Sequence, residues 1–217
     1  MVARELRPLT GPTMTFGPKD MRPLQAPHND PLIVQLKIAA AMVRRVLIDT
    51  GSSVDIITLE CFTKLQYTEK DLEAAGTPLV GFGGQPTYPV GMKKLAVRIG
   101  KKDNSRTVDV TFLVVEVPMA YNVIIKCPTL SVVKVVIAPY LLLLEFELDD
   151  GRVGKLFGDQ RMARECYYVS LKSLGIRDEL PFAESSRPSK SIKKGEPEAV
   201  MILSASAEEH GLSLIHI

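Results

Sequence analysis

Apolar residues concentrate between about residue 31 and residue 148, in short runs broken by turn residues, and Pro and charged residues dominate both ends. PLIVQLKIA and MVRRVLID read as two β-rich runs, separated only by Ala40 and Ala41, a gap that suits a hairpin-like connection. VDII resumes the apolar character after Ser53. Thr58 then stands in position to cap a helix through LECFTKLQY, whose Leu59, Phe62 and Leu65 share one face. EKDLEAA continues as a short helical turn that Gly76 stops. The glycines and prolines of residues 81–91 mark a tight turn between strand-like runs, and MKKLAVRIG, RTVDVTFLVVEV and YNVII all read as strands. Pro128 suits the start of a short helix through TLSVVK. VVIAP and LLLLEFEL are strands, and Asp150-Gly151 predicts a hairpin turn before RVGKL.

Many short strands with one or two short helices predict an all-β domain, closed or sandwich-like. Residues 1–27, with five prolines and two glycines, read as a disordered leader, and the patterned domain runs over 28–157. DQRMARECYYVSLKSLG predicts an amphipathic helix or linker over 158–174. Residues 175–217 are Ser-, Pro- and Lys-rich and read as a disordered tail. Its last residues, GLSLIHI, fit no element and read as a cloning or sequencing end rather than native protein.

Composition narrows the function. Net charge is only +2, so nucleic acid is not expected as a partner of this domain. Lys190, Lys193 and Lys194 sit in a Ser/Pro-rich stretch and read as a solvated linker. The N-terminus lacks the apolar core of a signal peptide, and LLLLEFEL is too short to span a bilayer and reads as buried sheet. Cys61, Cys127 and Cys166 are odd in number and, with three scattered histidines, fit no zinc pattern. They read as free thiols of a reducing compartment, so a cytoplasmic, non-secreted protein with no metal, no cofactor and no membrane contact is expected.

Chemistry concentrates in LIDTGSS. An apolar strand delivers Asp49 at its end, and Thr50-Gly51 is expected to turn sharply because glycine takes backbone angles other residues avoid. The carboxylate is then placed to accept bonds from the Gly51 amide and the Ser52 hydroxyl, which favour its charged form. A second carboxylate within about 3 Å would act the other way, since both cannot ionise together. Two such aspartates share one proton and titrate as a pair. The charged member takes a proton from a bridging water and the neutral member hydrogen-bonds a scissile carbonyl. No other aspartate matches this setting: Asp103 lies in KKDNS, Asp109 within a strand, Asp149 and Asp150 at a hairpin tip and Asp159 in GDQR. One copy of the motif therefore predicts a two-fold homodimer with Asp49 and its mate on the axis.

LIDTGSS, VGFGG about thirty residues on, YNVIIKCPTL and GDQRMARECYYVSLK together resemble the protease region of plant gypsy-type LTR retrotransposon polyproteins, from roughly His28 to Leu171. The resemblance implies a retropepsin-like closed barrel half-lobe, a homodimer, and cleavage of Gag-Pol precursors as polypeptide substrates. It implies Asp49 as the catalytic acid, Thr50 as a brace between paired active-site loops, and Gly51 and Ser52 as groups positioning the carboxylate. Val80, Gly81, Phe82, Gly83 and Gly84 match the family's flap, a mobile hairpin that closes over substrate. It also implies that a terminal strand, at LLLLEFEL or residues 31–38, pairs with the mate.

One departure stands out. Where the family has Gly after YNVI and two apolar residues, this chain has Lys126, then Cys127. A charge is costly to bury unpaired, so Lys126 either snorkels outward or disturbs the loop beneath Asp49. The departure favours an alternative reading: a catalytically inactive remnant, or a domain kept for binding or dimerisation. Asp55, six residues past Asp49, either binds substrate backbone or caps the following turn. Arg44 and Arg45 alternate on a strand, so at least one should face solvent or a partner chain.

Overall fold

The computed structural model describes residues 10–76, 78–80 and 86–173. Eleven strands and three α-helices follow one another in these residues. They are β1 (Ile33–Ile38), β2 (Ala41–Ile48), β3 (Asp55–Thr58), α1 (Leu59–Lys64), β4 (Leu79–Val80), β5 (Pro86–Thr87) and β6 (Gly91–Lys101). Then come β7 (Asn104–Val115), β8 (Val123–Ile125), α2 (Cys127–Val132), β9 (Val136–Ala138), β10 (Leu143–Glu147), β11 (Val153–Phe157) and α3 (Gln160–Ser173).

Six strands close into a mixed barrel in the order β1-β2-β8-β3-β7-β6, as the all-β reading requires. The placement of β8 matters most. It runs parallel to β2, with Ile48 opposite Ile125, and antiparallel to β3, with Ile56 opposite Ile124. The chain leaving β2 must therefore cross the end of β8 to enter β3. That crossing is residues 49–54. The barrel interior holds Val34, Leu36, Val46, Ile57, Val97, Phe112 and Val123, all nearly inaccessible. Burial alternates along β2, β6 and β7, the period-2 pattern of a half-buried sheet, whereas β3 and β8 are buried at every position.

Local chemistry explains the element boundaries. Thr58 caps α1 by accepting the Cys61 amide at 3.2 Å. EKDLEAA yields a single 3-10 turn at Glu69–Asp71. β10 and β11 form the hairpin expected at Asp150-Gly151, where Gly151 takes φ +81° and donates its amide to Leu148 O. β2 carries a bulge: Val34 pairs with Val46 but Leu36 with Val43, and Arg45 takes φ +55°. Asn122 clamps it, donating its side-chain amide to Arg44 O at 2.8 Å and its backbone amide to Arg45 O at 3.0 Å. Arg44 is left exposed, and Arg45 is half-buried against α3, whose Met162 sulfur accepts its amide.

The leader departs from expectation. From Thr10 on it runs along β11 and the start of α3 instead of lying free. Arg22 stacks on Phe157, with its guanidinium carbon 4.2 Å from the ring centroid, and donates to Gly158 O. Lys155 on β11 joins Asp20 of the leader to Glu145 on β10, a carboxylate with no exposure. A proline-rich segment thus gains order from an ion pair and a ring contact that sequence periodicity does not show. The helix expected over 158–174 is α3; the tail from residue 174 lies outside the described residues.

Lys155 and the Gly17 amide hold the Asp20 carboxyl below its usual 3.8. A lowered carboxyl contributes stability above 3.8, lost as pH falls through its folded-state value. Hydrogen exchange at residues 17–21 should therefore accelerate in acid before the barrel opens. An Asp20→Asn variant should show fast exchange there already at pH 6.

Candidate functional site

Asp49 follows the last residue of β2, and its amide donates to Ile125 O at 2.9 Å, extending the β2–β8 pairing by one rung. Its backbone is thereby fixed, while its side chain stays about a quarter exposed. Thr50 and Gly51 beyond it face solvent, so a second copy of the chain has access to this tip. The Gly51 amide donates to Asp49 Oδ1 at 2.8 Å, as expected. Two parts of the expected geometry differ. Gly51 does not adopt a left-handed conformation; a Cβ there would lie 3.1 Å from Asp49 Oδ1 and press on the carboxylate. Nor does the Ser52 hydroxyl reach Asp49: its oxygen is sealed from solvent and has no hydrogen-bond partner among the described residues.

The segment after β8 holds the loop from below. The Cys127 amide donates to Ser52 O at 3.2 Å, and the Cys127 thiol to Thr50 O at 2.9 Å. Asp55, the first residue of β3, is only 3% exposed. Its carboxylate accepts the Lys126 amide at 2.6 Å and the Thr129 hydroxyl at 2.8 Å. Lys126 is the residue preceding α2, so Asp55 satisfies the open N-terminal amides of that helix from another element. Both carboxylate oxygens accept hydrogen bonds inside the protein, the arrangement of the capping alternative. Burial pushes its carboxyl above the usual carboxylate range, against the opposing pull of the Lys126 amide and Thr129.

Lys126 neither snorkels nor breaks the loop. It is 1% exposed, among the largest fully buried side chains of the protein. Its ammonium lies 3.7 Å from Asp49 Oδ2, an ion pair slightly longer than a hydrogen bond. Burial pulls the ammonium below its usual range, and the Asp49 carboxylate is the first group opposing that shift. The sequence singled out Lys126 as anomalous, but its partner emerges only from the crossing of residues 49–54 over β8.

Of the flap residues, Val80 is described. It pairs with Pro86 as Leu79 pairs with Thr87, forming the base of a hairpin. Gly81, Phe82, Gly83 and Gly84 lie outside the described residues. Val80 and Tyr88 at that base are 68% and 72% exposed, so the hairpin turns apolar groups to solvent. All three thiols are free, and burial pushes Cys61 up to about 11 and Cys166 upward as well.

The fold and site define a six-stranded mixed barrel that presents a single carboxylate at the mouth of its central crossing. Among solved structures, the chain is similar to the retroviral protease-like domain of Ddi1 from Leishmania major at 16% identity and a TM-score of 0.41, covering 58% of this chain and 93% of that one. It is similar to EIAV protease complexed with the inhibitor HBY-793 at 21% identity and a TM-score of 0.39, covering 53% and 99%. A retropepsin-like aspartic protease from Rickettsia conorii is similar at 18% identity and a TM-score of 0.37, covering 49% and 75%. No family model and no curated protein matches the chain.

The capping role of Asp55 has a measurable cost. Asp55→Ala strands a buried amide and a buried hydroxyl, a loss of about 2–4 kcal/mol. Asp55→Asn, which retains one acceptor, should lose less. Chemical denaturation of the two variants checks the order; equal stability of Asp55→Ala and the parent would remove Asp55 from the support of α2.

Proposed function

We propose that this chain is an aspartic endopeptidase that works as a homodimer, each copy supplying Asp49 to one shared site. The observation that carries the proposal is the Asp49 carboxylate: anchored through its backbone to β8, oriented by the Gly51 amide, and open on its outer side. One copy provides one such carboxylate, and Thr50 and Gly51 are exposed where a two-fold mate would meet it.

In the dimer, a water held between the two aspartates attacks the scissile carbonyl carbon. The ionised Asp49 takes one proton of that water as the new C–O bond forms, and the protonated mate supplies its proton to the carbonyl oxygen. Collapse of the tetrahedral diol breaks the C–N bond, the departing nitrogen taking the proton of one aspartate while a diol hydroxyl returns its proton to the other as the carbonyl re-forms. The products are a carboxylic acid and an amine, and no covalent enzyme intermediate forms. The exposed apolar side chains at the base of the β4–β5 hairpin support a covering role for that segment, and the substrate is taken to be an extended polypeptide such as a retrotransposon Gag-Pol precursor.

The second reading, a retropepsin-like remnant or dimerisation module, is favoured by one observation: Lys126 occupies the charge of Asp49.

The protein incubated with a peptide library across the acid pH range should release fragments, with inhibition by a pepstatin-type diol mimic. Asp49→Asn should reduce turnover at least a thousandfold. Sedimentation at micromolar concentration should show a dimer. Cleavage by a strict monomer, or equal cleavage by Asp49→Asn, would remove the shared-carboxylate mechanism.

A further inference from the structure

We infer that Lys126 is an internal counter-ion that keeps Asp49 ionised, so that the two aspartates of the dimer do not share a proton in the usual acid range and hydrolysis is displaced to lower pH. The inference rests on the endopeptidase reading for its effect on turnover, and on geometry for its electrostatics.

The shared-proton state arises because two like charges in contact cannot both ionise. Its origin is repulsion, so it depends on no other charge balancing them. Here each carboxylate carries its own cation at 3.7 Å, held in a position with 1% exposure. At that distance and burial the attraction is screened far less than at a surface. Two aspartates and two lysines on one axis sum to zero with both carboxylates charged. The fully ionised pair then becomes the favoured state, and the proton that must reach the scissile carbonyl oxygen is absent.

The other groups around Asp49 do not cancel this. Asp55 on β3 is the other carboxylate facing Lys126, and it is committed to the Lys126 amide and Thr129. The Cys127 thiol is turned to Thr50 O. The Gly51 amide also favours the ionised form of Asp49. The second copy would bring the same pair, its own Asp49 and Lys126. Lys126 does not replace the missing acid either, because its ammonium lies behind the carboxylate and shut off from solvent. It is a positioning residue that acts through Asp49.

The test reads charge and turnover separately. Asp49 is titrated in the full-length protein by carbon NMR of labelled aspartate carboxyls, assigned with Asp49→Asn, in the parent, Lys126→Met and Lys126→Gln. Met matches the buried stem without its charge, and Gln is a second neutral variant should Met repack the helix. In either neutral variant the upper Asp49 midpoint should rise by about one to two pH units. Peptide cleavage at pH 5 should rise tenfold or more, with the alkaline limb of the pH profile moving up by the same interval. An Asp49 midpoint and pH profile unchanged in both variants would overturn the counter-ion, even if all three proteins cleave. A displaced midpoint with no Asp49-dependent cleavage in any protein would support the counter-ion and overturn the endopeptidase reading instead.

Discussion

A buried ammonium must be paired, and in this barrel the group that pairs with Lys126 is Asp49, the carboxylate proposed to carry the chemistry. Everything near Asp49 is arranged around that constraint. The amide of Lys126 is taken by Asp55, its side chain by Asp49, and the next residue, Cys127, holds Thr50 and Ser52. Two residues thus set the position of the 49–52 loop and also its electrostatic field. A substitution at 126 acts on charge, whereas one at 127 acts on the loop's anchorage.

The arrangement follows from strand order. Because β8 lies between β2 and β3, the connection between those two strands must pass over the end of β8, and the first residues after β8 must lie beneath it. Any side chain at position 126 is therefore close to the carboxylate at position 49, although they are far apart in sequence. A glycine there would leave the loop its space and the carboxylate its usual solvation. Lysine fills the space with a methylene stem and delivers a charge. The loop keeps its hydrogen bonds regardless, because those come from the backbone and from Asp55.

This topology separates what was legible in the sequence from what was not. The strands, the Thr58 cap, the Asp150-Gly151 hairpin, α2, α3 and the position of Asp49 at a strand end are local events, each encoded by a few adjacent residues. The bulge at Arg44-Arg45 was not legible as such, because it depends on Asn122 from a distant turn. The ordering of the leader depends on Lys155 and Phe157 in the same way. At the site, the Ser52 hydroxyl and Asp55 were candidates for contact with Asp49 and substrate by proximity in sequence. Their actual roles, one hydroxyl without a partner and one helix cap, were fixed by how residues 126–129 pack underneath.

In the proposed homodimer, the ion pair would also change what holds two copies together. In a bare dyad, bringing two carboxylates to one axis carries an electrostatic cost that is relieved only by retaining a proton. With Lys126 beside each Asp49, the meeting surfaces are locally neutral before they meet, and that cost is small at neutral pH. In the proposed enzyme, the residue that withholds a proton from hydrolysis would therefore favour assembly where the bare dyad would resist it. Buried ion pairs are seldom the most stable filling of a site, since an apolar side chain of equal volume often serves better. Retention of this one in place of an apolar residue has to be explained by something other than packing. A dimer that assembles at neutral pH and withholds cleavage until acid protonates Asp49 provides such an explanation.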